Sequence, residues 1–170
     1  MTGMAANAIP LSETPEAAAL SQARLGLAIA RITIGAMFVW VFFENLGKGL
    51  YTAAGYSGLI HYYLKAGKAP AAWKAVMALA AQNASMAAPM QAVTEISLGV
   101  LLVLGLFTRP AATVGFLFLG SLWMSEWGTA WIWELLVPVM TLLGLAVGRA
   151  GRGWGIDAIL AQKRPSAPWW

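Results

Sequence analysis

The sequence predicts an all-α integral membrane protein: a four-helix bundle with short interfacial helices in one long outer loop. Three observations lead there. Of 170 residues, 59% are hydrophobic and only 11% charged, against about 25% charged in a soluble domain. Four apolar runs approach the roughly 20 residues that a helical span needs. Two lone charges, Arg31 and Glu95, sit well inside two of those runs. An ionised side chain at mid-bilayer costs roughly 2.5–3.5 kcal/mol on insertion scales, so each must face the bundle interior and find a partner.

The elements follow in order. Residues 1–22 form a small, polar N-terminal segment without a basic n-region, unlike a cleaved signal peptide. Within it, Thr14-Pro15-Glu16 has the form of a helix start: hydroxyl cap, proline at the first helical position, acid in the first turn. The first span covers about Arg24 to Leu46 and ends in the polar run Glu44 to Gly49. Residues 50–86 are less apolar and hold two short helices, about Gly58 to Lys65 and Ala71 to Gln82. The second span, about Ala88 to Phe107, carries Glu95, and Thr108-Arg109-Pro110 makes a tight connection. The third span is about Ala111 to Glu126, with a turn at Gly128-Thr129. The fourth runs from about Ala130 to Val147, with Pro138 inside it, which is expected to kink the helix and free a carbonyl. Gly144 and Gly148 form a small-xxx-small pair suited to close helix approach.

The run Gly148 to Gly155 is glycine- and arginine-rich. No strand precedes it and its spacing does not match a dinucleotide fingerprint, so it is read as a flexible basic exit from the membrane. Asp157 is expected to cap a short helix through Gln162. The membrane domain then covers residues 23–160, and residues 161–170 form a tail ending in Trp169-Trp170, which suit the headgroup layer or a neighbouring subunit. Arg24, Arg109, Arg149, Arg152, Lys163 and Arg164 gather on one side of the bundle, at short connections and flanks. Lys48, Lys65, Lys68 and Lys74 lie on the other side, within one long loop. The positive-inside rule weighs short connections and flanks most heavily, so both termini are placed in the cytoplasm of a multi-pass inner (plasma) membrane protein, with the 44–86 loop and the 127–130 turn outside.

Composition also bounds the chemistry. Cysteine is absent and His61 is the single histidine. Disulfides, iron–sulfur ligation, c-type haem attachment and bis-histidine haem on this chain are excluded, and no metal site is expected. Redox chemistry would need a diffusible cofactor such as quinone, or cofactors on a partner. The net charge of +4 comes from basic residues scattered at helix ends, so nucleic acid is not an expected partner; membrane lipids are.

Two constellations could carry chemistry. If the first two spans are antiparallel neighbours, Arg31 and Glu95 fall at similar depth and form an ion pair. It would be either a latch that sets helix register or the polar floor of a ligand site. The second constellation lies at the outer face, where Glu44, Glu126 and Glu134 mark helix ends among Trp40, Trp123, Trp127, Trp131 and Trp133. It is either an interfacial aromatic belt or an aromatic-walled pocket with carboxylates at its mouth, suited to a planar quinone head. Lys48, one turn beyond Glu44, could pair with it. His61, in the outer loop, could shuttle protons or cap a quinone, or be an interfacial residue only.

Several segments together resemble the DoxX/DoxD family of small four-helix membrane proteins. They are Arg31 to Phe38 with Glu44 and Lys48 at the span's end; Glu95 opening a run that closes with Leu104-Gly105-Leu106-Phe107-Thr108-Arg109-Pro110-Ala111; and Gly148 to Ala158. The tryptophan-rich stretch from Trp123 to Glu134 and the glycine-arginine exit resemble the DoxD branch most. That resemblance implies the membrane subunit of thiosulfate:quinone oxidoreductase, in which thiosulfate is oxidised to tetrathionate, electrons pass to quinone and at least one other protein subunit takes part. On the quinone reading of the two constellations, Arg31, Glu95 and Glu44 are the candidate catalytic residues, and Trp123, Trp127, Trp131, Glu134 and His61 the candidate cofactor-binding ones. The alternative is a non-catalytic accessory subunit packed within a larger membrane redox or photosynthetic complex.

Overall fold

The computed structural model describes residues 14–167 and residue 169. The expected N-terminal segment up to residue 13, and Trp170, lie outside that range. The described residues fold into helices joined by turns, with no strand among them. In chain order the helices are α1 (Pro15–Gly47), α2 (Ala53–Ala66), α3 (Ala71–Gln82), α4 (Ala84–Leu104), α5 (Thr108–Ser125), α6 (Ile132–Val147) and α7 (Ile156–Lys163), with one 3₁₀ turn at Ala150–Arg152.

Helix α1 begins where its cap residues predict. The Thr14 hydroxyl accepts from the Ala17 N–H at 3.2 Å and Pro15 opens the first turn. Its 33 residues extend about 50 Å at 1.5 Å each, further than the roughly 30 Å of a bilayer core. The face turned inward is Ala28, Arg31, Ile34, Gly35 and Phe38, a helical spacing. α1 and α4 are both long and apolar enough to cross a membrane.

α1, α4, α5 and α6 pack around one core whose buried members include Phe38, Leu98, Leu102, Leu119, Val139 and Leu142. α1 and α4 approach most closely through Gly35 and Gly99. A Cβ on Gly35 would lie 2.7 Å from the Val103 backbone nitrogen, and one on Gly99 would lie 2.7 Å from Val39 Cγ2. The small-residue contact therefore falls between the first two long helices. Gly144 meets nothing, and Gly148 alone approaches a neighbour, Leu27 at 3.0 Å.

α2 and α3 form a hairpin with its own small core of Ile60, Ala69, Met77 and Ala81. Trp73 Nε1 donates to Ser125 Oγ at 3.0 Å, and the Lys68 N–H donates to the Trp127 carbonyl at 2.6 Å. The hairpin is thereby tied to the α5–α6 turn. The surface inverts the usual soluble pattern. Ile29, Phe43, Val93, Leu117, Val137 and Val147 are exposed, while Arg31, Glu95, Thr108, Ser125 and Asp157 are buried. Apolar outside and charged inside is the arrangement that lipid as solvent selects.

Candidate functional site

Glu95 lies on the inner face of α4, 2% exposed, and is held by three donors from three places in the chain. Asn45 Nδ2 at the end of α1 donates to Oε2 at 3.1 Å, and the Tyr51 hydroxyl, in the turn before α2, donates to the same oxygen. Gln91 Nε2, one helical turn earlier, donates to Oε1 at 2.8 Å. Tyr51 is held in turn by its ring, stacked on Phe42 with centroids 5.3 Å apart.

Arg31 is not one of those donors, and the expected ion pair does not form. Because α1 and α4 are antiparallel, Arg31 and Glu95 each lie four residues before the Gly35–Gly99 contact, in opposite directions. At 1.5 Å per residue they are separated by at least roughly 12 Å along the bundle. Both are buried, but each has its own surroundings.

Arg31 is enclosed by the stretch read as a flexible exit. Its Nη2 donates to the Trp154 carbonyl at 3.0 Å. A Cβ on Gly105 would lie 1.4 Å from its Nη1, and one on Gly155 would lie 2.2 Å away. These glycines are required because backbone packs directly against the guanidinium. Gly151 serves Asp157 likewise, since a Cβ there would lie 2.2 Å from Oδ2. Asp157 is completely buried. Rather than capping its own helix, it accepts from the Phe107 and Thr108 N–H groups at 2.8 Å each and so caps α5, while its own N–H donates to the Gly105 carbonyl at 2.9 Å. The tail is a collar around one end of the bundle.

At the other end, a cavity of about 470 Å³ lies between α1, α2, α4, α5 and α6. It is apolar along Met37, Phe38 and Leu119, and polar at Glu95, Glu126, Glu134, Gln91, Asn45 and Lys48. Glu126 lies just beyond α5, in the turn, and accepts from the Tyr63 hydroxyl at 2.6 Å. Burial holds the Glu126 carboxyl above its ordinary range. The Tyr63 hydrogen bond opposes that shift and the charge of Glu134 adds to it. The Tyr63 phenol is pushed well above its usual range, first by burial and then by Glu126.

The remaining candidates divide. Glu134 lines the cavity. Glu44 is exposed, pairs with Lys48 at 2.6 Å and does not line the chamber. Trp123 and Trp127 stack nearly parallel, with centroids 6.0 Å apart, and Trp131 stacks on Trp133. None of these rings lines the cavity, and Trp40, Trp131 and Trp133 are exposed. The chamber walls are phenylalanine, leucine and methionine instead. His61 is exposed, its Nδ1 at 2.7 Å from the Ser57 carbonyl one turn earlier. Asn45, Tyr51, Gln91 and Tyr63 were not singled out from sequence. Gln91 was discoverable, lying one turn from Glu95; the other three depend on how distant segments pack.

A helical protein with an apolar exterior, two span-length helices and buried charges belongs to the class of membrane proteins. The family model for DoxX matches residues 26–127, well over half of the chain, and the chain belongs to that family. The match ends before the collar. No curated protein and no solved structure gives a significant match.

Proposed function

We propose that this DoxX-family chain is the quinone-binding membrane subunit of an oxidoreductase, with the quinone ring in the Glu95–Glu126 cavity. The observation that carries this reading is Glu95 itself: a carboxyl group buried among three donors, at the wall of a chamber of small-molecule size with an apolar side along Met37, Phe38 and Leu119. Reducing a quinone to a quinol takes two electrons and two protons. Glu95 with Tyr51, and Glu126 with Tyr63, can hold and pass the protons. The two electrons come from a donor on a second subunit, since this chain has no cysteine and one histidine with which to hold a redox centre.

If the donor is thiosulfate, as in the DoxD branch that the chain resembles, two thiosulfates joining as tetrathionate release the two electrons that one quinone takes. The chamber is lined by three carboxylates and one lysine, a poor host for a dianion, so thiosulfate belongs at the partner. In this reading α1, α4, α5 and α6 are the four spans of an inner-membrane domain over residues 23–160, with both termini cytoplasmic.

Quinone binding to purified protein in lipid nanodiscs tests this directly. Wild type should retain quinone, and Glu95→Gln should weaken binding at least about tenfold, roughly 1.4 kcal/mol, with helicity unchanged. Wild-type protein that binds no quinone but co-purifies in fixed ratio with a larger membrane complex would instead favour the accessory-subunit alternative.

A further inference from the structure

Beside the carboxylate-lined chamber lies a second cavity of about 510 Å³, between the α2–α3 hairpin and α4–α5. The two share Leu59, Tyr63, Gln91, Phe118 and Leu122 in their linings, so only side chains stand between them. They differ in charge: the first is lined by three carboxylates and a lysine, the second by no charged side chain. In the second cavity the Thr94, Ser121 and Ser125 hydroxyls each donate to a carbonyl of their own helix, at 2.8, 2.7 and 2.9 Å. The Tyr63 hydroxyl is engaged by Glu126. What remains is the Tyr56 phenol, Asn83, whose amide donates to the Leu79 carbonyl, and an apolar wall that includes Ile60, Met77, Ala80 and Ala87. The outer rim is Val76, Leu79, Met86 and Met90, each 51–62% exposed on the face of α3 and α4. Methionine side chains adapt to irregular occupants.

We propose that this cavity is a side entrance from the lipid and the seat of an apolar tail. The ligand is then a long-chain amphiphile whose head reaches Glu95 and Glu126 while its chain lies between α3 and α4. The nature of the head group rests on the quinone reading; the tail channel rests on the side-chain wall that the two cavities share.

The test compares a tail-less dimethoxybenzoquinone with its decyl derivative, on wild type and Ala87→Phe in nanodiscs. Ala87 lines the second cavity and not the first. The decyl compound should bind wild type at least about tenfold more tightly than the tail-less one. Ala87→Phe should abolish that advantage and leave tail-less binding intact, a pattern that partitioning into lipid cannot produce. Equal affinity of the two compounds for wild type, or an equal loss of both in the variant, would overturn the channel. A second measurement needs no substitution. Hexadecanol carrying a diazirine should label Met77, buried in the cavity; labelling confined to outward residues such as Met86, Met90, Leu117 and Val137 would also overturn it. If the alcohol labels the channel while neither quinone binds, the channel stands and the quinone reading fails. If tail-less quinone binds and the alcohol labels only the outer surface, the reverse holds.

Discussion

Buried polar side chains are expensive to leave unpaired, which makes the surroundings of Glu95 and Arg31 informative residue by residue. Glu95→Gln keeps the shape but gives up one of two acceptor oxygens to a group that donates. One of Asn45, Tyr51 or Gln91 then loses its partner, at about 1–3 kcal/mol. Tyr51→Phe removes one donor and should cost less, about 1 kcal/mol; detergent unfolding midpoints would rank the two, and a larger loss for Tyr51→Phe would contradict this account of the cluster. Gly105 has φ of +64° and lies against Arg31, so Gly105→Ala combines backbone strain with displacement of the guanidinium, together about 2–5 kcal/mol. Near-wild-type stability for that variant would mean the collar does not grip Arg31 as described. Glu126 adds a pH dependence. Its carboxyl is raised from 4.5 by burial, so the folded chain holds that proton more tightly than the unfolded one. The stabilisation is complete below the ordinary carboxyl value and is lost as pH climbs through the raised one. Thermal stability should fall with rising pH over that window, and Glu126→Gln should flatten the slope; parallel wild-type and variant profiles would refute it.

α1 and α4 touch backbone to backbone at Gly35 and Gly99. Gly35→Leu must push them apart, at a cost of about 1–3 kcal/mol or more, and should loosen Glu95 by moving Asn45. Gly144→Leu, which meets open space, is its control and should be nearly silent. Local signals found the helices well. Thr14-Pro15 started α1, the alanine-rich run became α3 over Ala71–Gln82, and the glutamates and glycines marked the α5–α6 turn. Proline proved less decisive: Pro110 lies in the first turn of α5, and Pro89 lies inside α4. The pairing of Arg31 with Glu95 failed because depth within a span does not set register between spans; the Gly35–Gly99 contact does. The collar stayed hidden for the same reason. Trp154 lies 123 residues from Arg31, and Asp157 some 50 from the N–H groups it caps, and no periodicity links positions so far apart.

For the whole molecule, the two ends of the bundle divide the work. At one end the tail closes around Arg31 and caps α5, an arrangement with little room for a ligand. At the other, α2 borders a chamber lined by carboxylates and Tyr63. In the proposed topology the closed end faces the cytoplasm, where Arg24, Arg149, Arg152 and Lys163 gather, and the chamber faces outward. Protons would then exchange with the outer aqueous phase through Glu126 and Glu134, while the apolar ligand arrives from lipid. The absence of cysteine makes orientation measurable without background labelling. A single cysteine at Lys65, exposed on α2, should react with a membrane-impermeant maleimide in intact cells. One at Lys163, exposed at the end of α7, should react only after the membrane is opened. The opposite pattern would invert the molecule and place proton exchange on the cytoplasmic side; labelling of both sites in intact cells would mean that hairpin and collar share one face, which four spans do not permit.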